Sequence, residues 1–334
     1  MAKKMKTAQK RYFYEMTISS SPHVHQDVTT RTIMRDVLIA LAPAMVFSVV
    51  NFGVRALLVT LVSVVACYGF EKLWNILMKQ NDKSYDLSAC VTGVLLAFVC
   101  PVTVAYWQIV IGAAFAIGLV KMLFGGLGRN VVNPALAGRA FMMSWPVAMS
   151  TWIKPGFQNA APIFGSADIV TAATPLANMH QGMMPVEKWT ELFWGNVGGC
   201  IGETSALMLL IGLAYLLIRK VIKITIPAAY IGTVAILTLL FPMGNNNIDW
   251  MLCQVFGGGL MLGAIFMATD YVTSPITCKG RVIFGIGCGF LAAAIRVFAN
   301  STEGVSFAIL LMNLLVPYIN GWSKTKPVGG AVTK

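Results

Sequence analysis

An acid, two hydroxyls and small residues between them mark Asp168-Ile169-Val170-Thr171-Ala172-Ala173-Thr174-Pro175 as a stretch equipped for chemistry. Small neighbours leave a hydroxyl open to something large. Pro175 biases Thr174 out of the α region, onto an extended or turning segment. A second stretch, Leu123 to Arg139, joins Gly125, Gly126 and Gly128 to Arg129, Asn130, Asn133 and Pro134. Its glycines permit close backbone approach or positive φ. Pro134 suits the first turn of a helix, and Asn133 is placed to cap it. The stretch reads either as a loop re-entering a membrane and starting a helix whose positive end faces a ligand, or as a plain turn before a kinked helix.

Other polar groups are sparser. Arg139 falls inside an apolar run, where a charge is costly and must face protein, a pathway or an anion. Pairing with a helix end and a functional role both fit it. Asp36, Glu71, Asp86, Glu203, Asp270 and Glu303 stand near the ends of apolar runs and read mostly as first-turn or interfacial residues. Asp270, Glu303 and Arg139 are the candidates for ion coupling. Seven cysteines contain no C-x-x-C pair and read as small apolar packing residues, since iron–sulfur clusters need several clustered thiolates. His23 and His25 read as part of a solvated tail. No catalytic triad, zinc spacing or phosphate-binding loop is present. Gly257-Gly258-Gly259 lacks the strand of a dinucleotide fingerprint and reads as small residues that let helices pack closely.

The elements that must hold these groups are membrane helices. The chain has 334 residues, 57% of them hydrophobic and 11% charged, against about 25% charged in ordinary soluble domains. The net charge of +12 does not point to nucleic acid, because the basic residues are scattered between apolar runs as membrane anchors are. Ten apolar spans are expected, at 35–54, 56–78, 87–101, 106–124, 131–149, 203–219, 225–242, 252–269, 281–298 and 303–322. The third is short for a crossing of about 20 residues and ends at Pro101, so it reads as broken, tilted or flanked by an extended piece. With the amino terminus inside, 20 of the 25 basic residues fall on the inner side and four on the outer. That asymmetry supports ten spans, puts both termini in the cytoplasm and puts the Thr174 loop outside.

The expected architecture is therefore an all-α polytopic membrane protein. It has a basic cytoplasmic segment (1–34), five helices (35–149), an extracytoplasmic loop (150–202), five more helices (203–322) and a cytoplasmic tail (323–334). An odd number of spans per half forces the two halves into opposite orientations if they share a fold, the plan of inverted repeats around a central site.

The motif also resembles the covalent-FMN acceptor site in membrane subunits of Rnf-type and sodium-pumping NADH:quinone reductase complexes. That pattern runs Asp, two free positions, Ser or Thr, usually Gly, then Ala or Ser, then Thr. Asp168, Thr171, Ala173 and Thr174 match it, with Ala172 at the usual Gly. The segment Gly128-Arg129-Asn130, two residues, Asn133-Pro134-Ala135 resembles the same family, and the likeness runs over nearly the whole chain, closest to Rnf D-type subunits. The resemblance implies FMN joined through its phosphate to Thr174 by a flavin transferase. It implies a second, noncovalent riboflavin touched by Arg129, Asn130 and Asn133. It implies a prokaryotic cell membrane and a complex with flavin-bearing G-type, NAD-side C-type and membrane A- and E-type subunits. Electrons would cross the membrane through this chain, coupling ferredoxin and NAD chemistry to Na+ or H+ transport. Two other readings suit the helices alone: a urea-channel-like channel or transporter for a small neutral solute, and a structural scaffold.

Overall fold

The computed structural model describes residues 28–79, 84–145, 149, 151–153, 174–180, 182–185, 187–242, 247–298 and 304–324. Asp168, Thr171, Ala173, His23, His25 and Glu303 lie outside them. The regular structure described is helical. In order it runs α1 (Thr30–Phe52), α2 (Val54–Leu77), α3 (Ser88–Phe98), α4 (Tyr106–Met122), α5 (Pro134–Met142), α6 (Pro175–His180) and α7 (Trp189–Trp194). There follow α8 (Ala206–Ile218), α9 (Thr225–Leu240), α10 (Asn247–Phe256), α11 (Leu260–Met267), α12 (Cys278–Phe298) and α13 (Gly304–Trp322).

The protein is an all-α, multi-pass membrane protein. Ten apolar segments stand at the ten expected positions if the bent pair α10–α11 counts as one. By length and composition α1, α2, α12 and α13 are able to cross a bilayer, and α10–α11 makes a fifth. The remaining segments are shorter, and the reasons are local. Helix α3 stops before Pro101 after 11 residues, as expected for that span. Within the expected 131–149 span α5 has nine residues, Asn133 and Pro134 setting its start. The expected 203–219 span begins at Ala206, where the Ser205 hydroxyl accepts from the Met208 N–H at 3.4 Å. The expected 252–269 span is divided at Gly257–Gly259, and its two pieces meet at a bend of 60°. Those glycines break a helix as well as admitting close neighbours. At the amino end, Thr29 and Thr32 exchange a capping box, so α1 starts at Thr30 and takes in residues expected to be tail.

The order of neighbours in the first half recurs in the second. Helix α2 packs on α3 and α4, and α4 on α5. Likewise α9 packs on α10 and α12, and α12 on α13. Helices α1 and α8 meet across the middle. Glycine permits the tightest of these contacts. Gly285 and Gly289 of α12 press on the α9 backbone at Ile226 and Tyr230, with a built Cβ falling 3.1 and 2.9 Å from their carbonyl oxygens. This is the small-residue spacing that lets membrane helices approach. The buried core runs through both halves, from Leu41 and Phe98 to Tyr230, Phe284 and Ile309.

Candidate functional site

Two clefts flank the short helices α5 and α11. Thr174 and Pro175 line the first, together with Gly198, Gly199, Gly257 and Gly258. Thr174 is half-buried and precedes α6. Its Oγ1 accepts from the Ala177 N–H at 3.3 Å, and its own O–H proton has no acceptor among the described residues. Four glycines stand in the wall beside the side chains of Leu176, Leu192, Val197 and Phe256, and the fit is close: a Cβ on Gly258 would fall 2.8 Å from Leu176 Cδ1. The hydroxyl is thus fixed in direction, and the free space before it is about 30 Å³, so a bulky group on Thr174 extends out of the cleft.

Behind this cleft sits a buried ion pair. Arg139 Nη1 donates to Glu203 Oε1 at 3.3 Å and to the Ser306 hydroxyl at 3.1 Å, and Nη2 lies 3.8 Å from Cys200 Sγ. Arg139 and Glu203 are 3% and 6% exposed, so neither charge is solvated and each needs the other. Glu203 and Cys200 also line the Thr174 cleft. Arg139 therefore meets both an acid and the first turn of α13.

The second cleft lies at the opposite ends of α5 and α11. Its polar lining includes Asn130, Asn133, Lys121, Thr269, Asp270 and Tyr271. Asn133 Oδ1 accepts from the N–H groups of Ala135 and Leu136 at 3.0 and 3.4 Å, capping α5, and its Nδ2 donates to the Met267 carbonyl at 3.3 Å. One asparagine thereby joins the start of α5 to the end of α11. Asn130 is 7% exposed, and its Oδ1 has no donor among the described residues. A buried acceptor without a donor costs about 1–3 kcal/mol, so it suits an incoming N–H or O–H. Asp270 accepts from the Thr273 hydroxyl at 3.1 Å. Burial pushes its carboxyl above the usual range, opposed by Thr273 and by the backbone N–H groups of Val272 and Tyr271. Arg129 is exposed, with its side chain over Gly125, and is not among the residues lining this cleft. The free space is about 80 Å³, below the roughly 300–1,000 Å³ of small-molecule pockets. A tricyclic ring enters only if flexible wall residues such as Met34 and Leu127 swing aside.

Lys121 is held from behind. Its Nζ donates to Glu71 Oε2 at 2.7 Å and to the Ser88 hydroxyl at 2.6 Å, and both charged side chains are buried. Glu71 and Glu203, read from the sequence as first-turn or interfacial acids, are instead the buried partners of Lys121 and Arg139. The partners lie 50 and 64 residues away along the chain, beyond any local spacing rule. Asp36 is likewise buried and pairs with Arg219 at 3.2 Å. Asp86 keeps an N-terminal role, accepting from the Ser88 N–H at 2.8 Å. The described cysteines are all free, and no group of three or more His, Cys, Asp or Glu among the described residues could hold a metal.

The two clefts are joined by helix. Helix α11 leads from Gly259, beside the Thr174 cleft, to Thr269 and Asp270, and its eight residues cover about 12 Å at 1.5 Å per residue. Helix α5 runs back from Asn133 to Arg139, about 9 Å by the same rise.

Comparison with known proteins fits this arrangement. Residues 17–329 match the model of the NQR2, RnfD, RnfE family. The D subunit of the Na(+)-translocating ferredoxin:NAD(+) oxidoreductase complex of Acetobacterium woodii is 43% identical over 325 residues, covering 96% of each chain. The D subunit of the proton-translocating ferredoxin:NAD(+) oxidoreductase complex of Clostridium ljungdahlii is 41% identical over 324 residues, 93% of this chain and 95% of that one. The D subunit of an ion-translocating oxidoreductase complex of Stutzerimonas stutzeri is 36% identical, covering 89% of this chain and 91% of its own.

Proposed function

The chain belongs to the NQR2, RnfD, RnfE family, and from that premise we propose that it is the D-type membrane subunit of an Rnf-type complex. In this reading it carries electrons across the membrane and so couples ferredoxin and NAD chemistry to cation transport. The coupling ion stays open, because one similar D-type protein is named for Na+ and another for protons. The other subunits are those the resemblance implies: G-type, C-type, A-type and E-type. Two inverted five-helix repeats, with the Thr174 loop outside and both termini inside, give the route its direction.

The observation that carries the reading is the pair of clefts at opposite ends of α5 and α11. Thr174 offers a directed hydroxyl in a cleft with four glycines in its wall. There a flavin transferase can join Oγ1 to the flavin-side phosphorus of a flavin dinucleotide as the pyrophosphate bond breaks, the nucleoside monophosphate leaves and the hydroxyl proton is lost to a base. Asn130 offers a buried acceptor, and Asn133 fixes the loop that presents it, in the cleft proposed for riboflavin. Flavins supply one- and two-electron chemistry. The protein's part is to fix the two positions and to shield them from water. One charge moved across the membrane corresponds to about 2.3 kcal/mol per 100 mV, so electron flow along this axis is able to drive a compensating cation. Asp270 lines the Asn130 cleft and Arg139 lies between the clefts, and with Glu303 they are the ion-coupling residues of the proposal. Denaturing electrophoresis of protein made with a flavin transferase tests it. A yellow, fluorescent band is expected in the parent and none in Thr174→Ala, and a band that survives the substitution rejects the assignment.

A further inference from the structure

A third cavity, of about 500 Å³, lies beside α10 near the Thr174 end of the molecule. Phe241 at the end of α9, Phe290 and Phe298 of α12, and Trp250 of α10 form much of its wall. The three phenylalanines are 70%, 58% and 87% exposed, so the cavity opens onto the face that lipid covers. Its polar groups include Gln254 and Arg296, which are 7% and 6% exposed.

Arg296 is incompletely satisfied. Its Nη1 donates to the Gln254 carbonyl at 2.6 Å and to Gln254 Oε1 at 3.2 Å, and its Nη2 donates to the Gly257 carbonyl at 3.2 Å. Its Nε–H is buried without an acceptor among the described residues, and no described carboxylate pairs with it. A cation at a helix end in a membrane protein seeks an anion or the interface. Arg296 stands two residues from the end of α12, where a spanning helix reaches the interface. Phe290 is six residues earlier, about 9 Å deeper along the helix. The cavity is therefore a groove with a cation at the top and aromatic walls below.

We propose that this groove is a binding site for an anionic phospholipid. A phosphate oxygen accepts from Arg296 Nε–H and neutralises the guanidinium, and one acyl chain descends between Phe241 and Phe290. Occupancy steadies the break between α10 and α11, because Arg296 holds the carbonyls of Gln254 and Gly257, and Gly257 lines the Thr174 cleft. The site needs no flavin, so its test is independent of the function proposed above.

Native mass spectrometry of the full chain, with phosphatidylglycerol or phosphatidylcholine of matched acyl chains added, decides it. The parent is expected to retain phosphatidylglycerol about tenfold more tightly. Arg296→Gln removes that preference. Ala294→Trp fills the groove while leaving the Arg296 carbonyl bonds in place, and it abolishes retention of both lipids. Should Arg296→Gln fail to fold, Ala294→Trp decides the question. Equal retention of the two lipids by the parent, undiminished phosphatidylglycerol on Ala294→Trp, or an isoprenoid quinone in place of phospholipid overturns the proposal.

Discussion

The Thr174 cleft and the Asn130 cleft sit at opposite ends of the same two short helices, yet they are built differently. The first sets one directed hydroxyl among glycines and apolar side chains. Its other polar side chains are Glu203, which Arg139 holds, Cys200 and Thr204. The second presents two asparagines, a lysine, an aspartate, a serine, two threonines and a tyrosine. In the proposed function a covalent bond retains the cofactor of the first. In the same proposal many weak contacts retain that of the second. The same pair of helices is thus suited to one tethered and one exchangeable group.

Thr174→Ala should break the comparison most completely, removing all covalent flavin while flavin extractable from the native protein persists. Electrophoresis and solvent extraction of the same preparation read both quantities. Next in size is the ion pair behind Thr174. Arg139→Met leaves Glu203 buried and unpaired, which costs about 3–5 kcal/mol. Thermal unfolding in detergent should show a large loss, and the Arg139→Met, Glu203→Met double variant should recover part of it. A double variant worse than the single one would show that the pair does not act as a unit. Asn130→Leu should weaken only the noncovalent flavin, by about tenfold for one lost hydrogen bond of about 1–1.5 kcal/mol, and fluorescence titration measures it. Equal loss from both clefts would erase the distinction between them.

The smallest effect concerns pH. Asp270 has its carboxyl raised in the folded protein, chiefly by burial. Its contribution to stability is full below the ordinary carboxylate value and is lost as pH rises through the raised one. Asp270→Asn should therefore unfold at a higher temperature than the parent near neutral pH and at the same temperature in acid. A gain confined to acid would reverse the sign and place the cause elsewhere.

The sequence made the membrane helices legible because apolar runs report burial in lipid directly. An acid and spaced hydroxyls among alanines form a local pattern that singles out Thr174 in the sequence, and the structure sets its hydroxyl in a cleft. Asn133 was legible as a cap for the same reason: Asn-Pro before an apolar run is a local signal, and α5 begins there. Glu71 and Glu203 were misjudged because their partners, Lys121 and Arg139, come from distant helices. The bend at Gly257–Gly259 was hidden because hydropathy runs on through a break that glycine permits. Arg296 gave no warning either, since the carbonyls it holds belong to the end of α10 and to Gly257.

Flavin attachment stands or falls on the peptide that contains Thr174. Protein produced with a flavin transferase should be digested and that peptide weighed and fragmented by mass spectrometry. A mass increase equal to an FMN phosphoester is expected, with fragments that place it on Thr174. An unmodified peptide, or FMN mapped to any other residue, would contradict it.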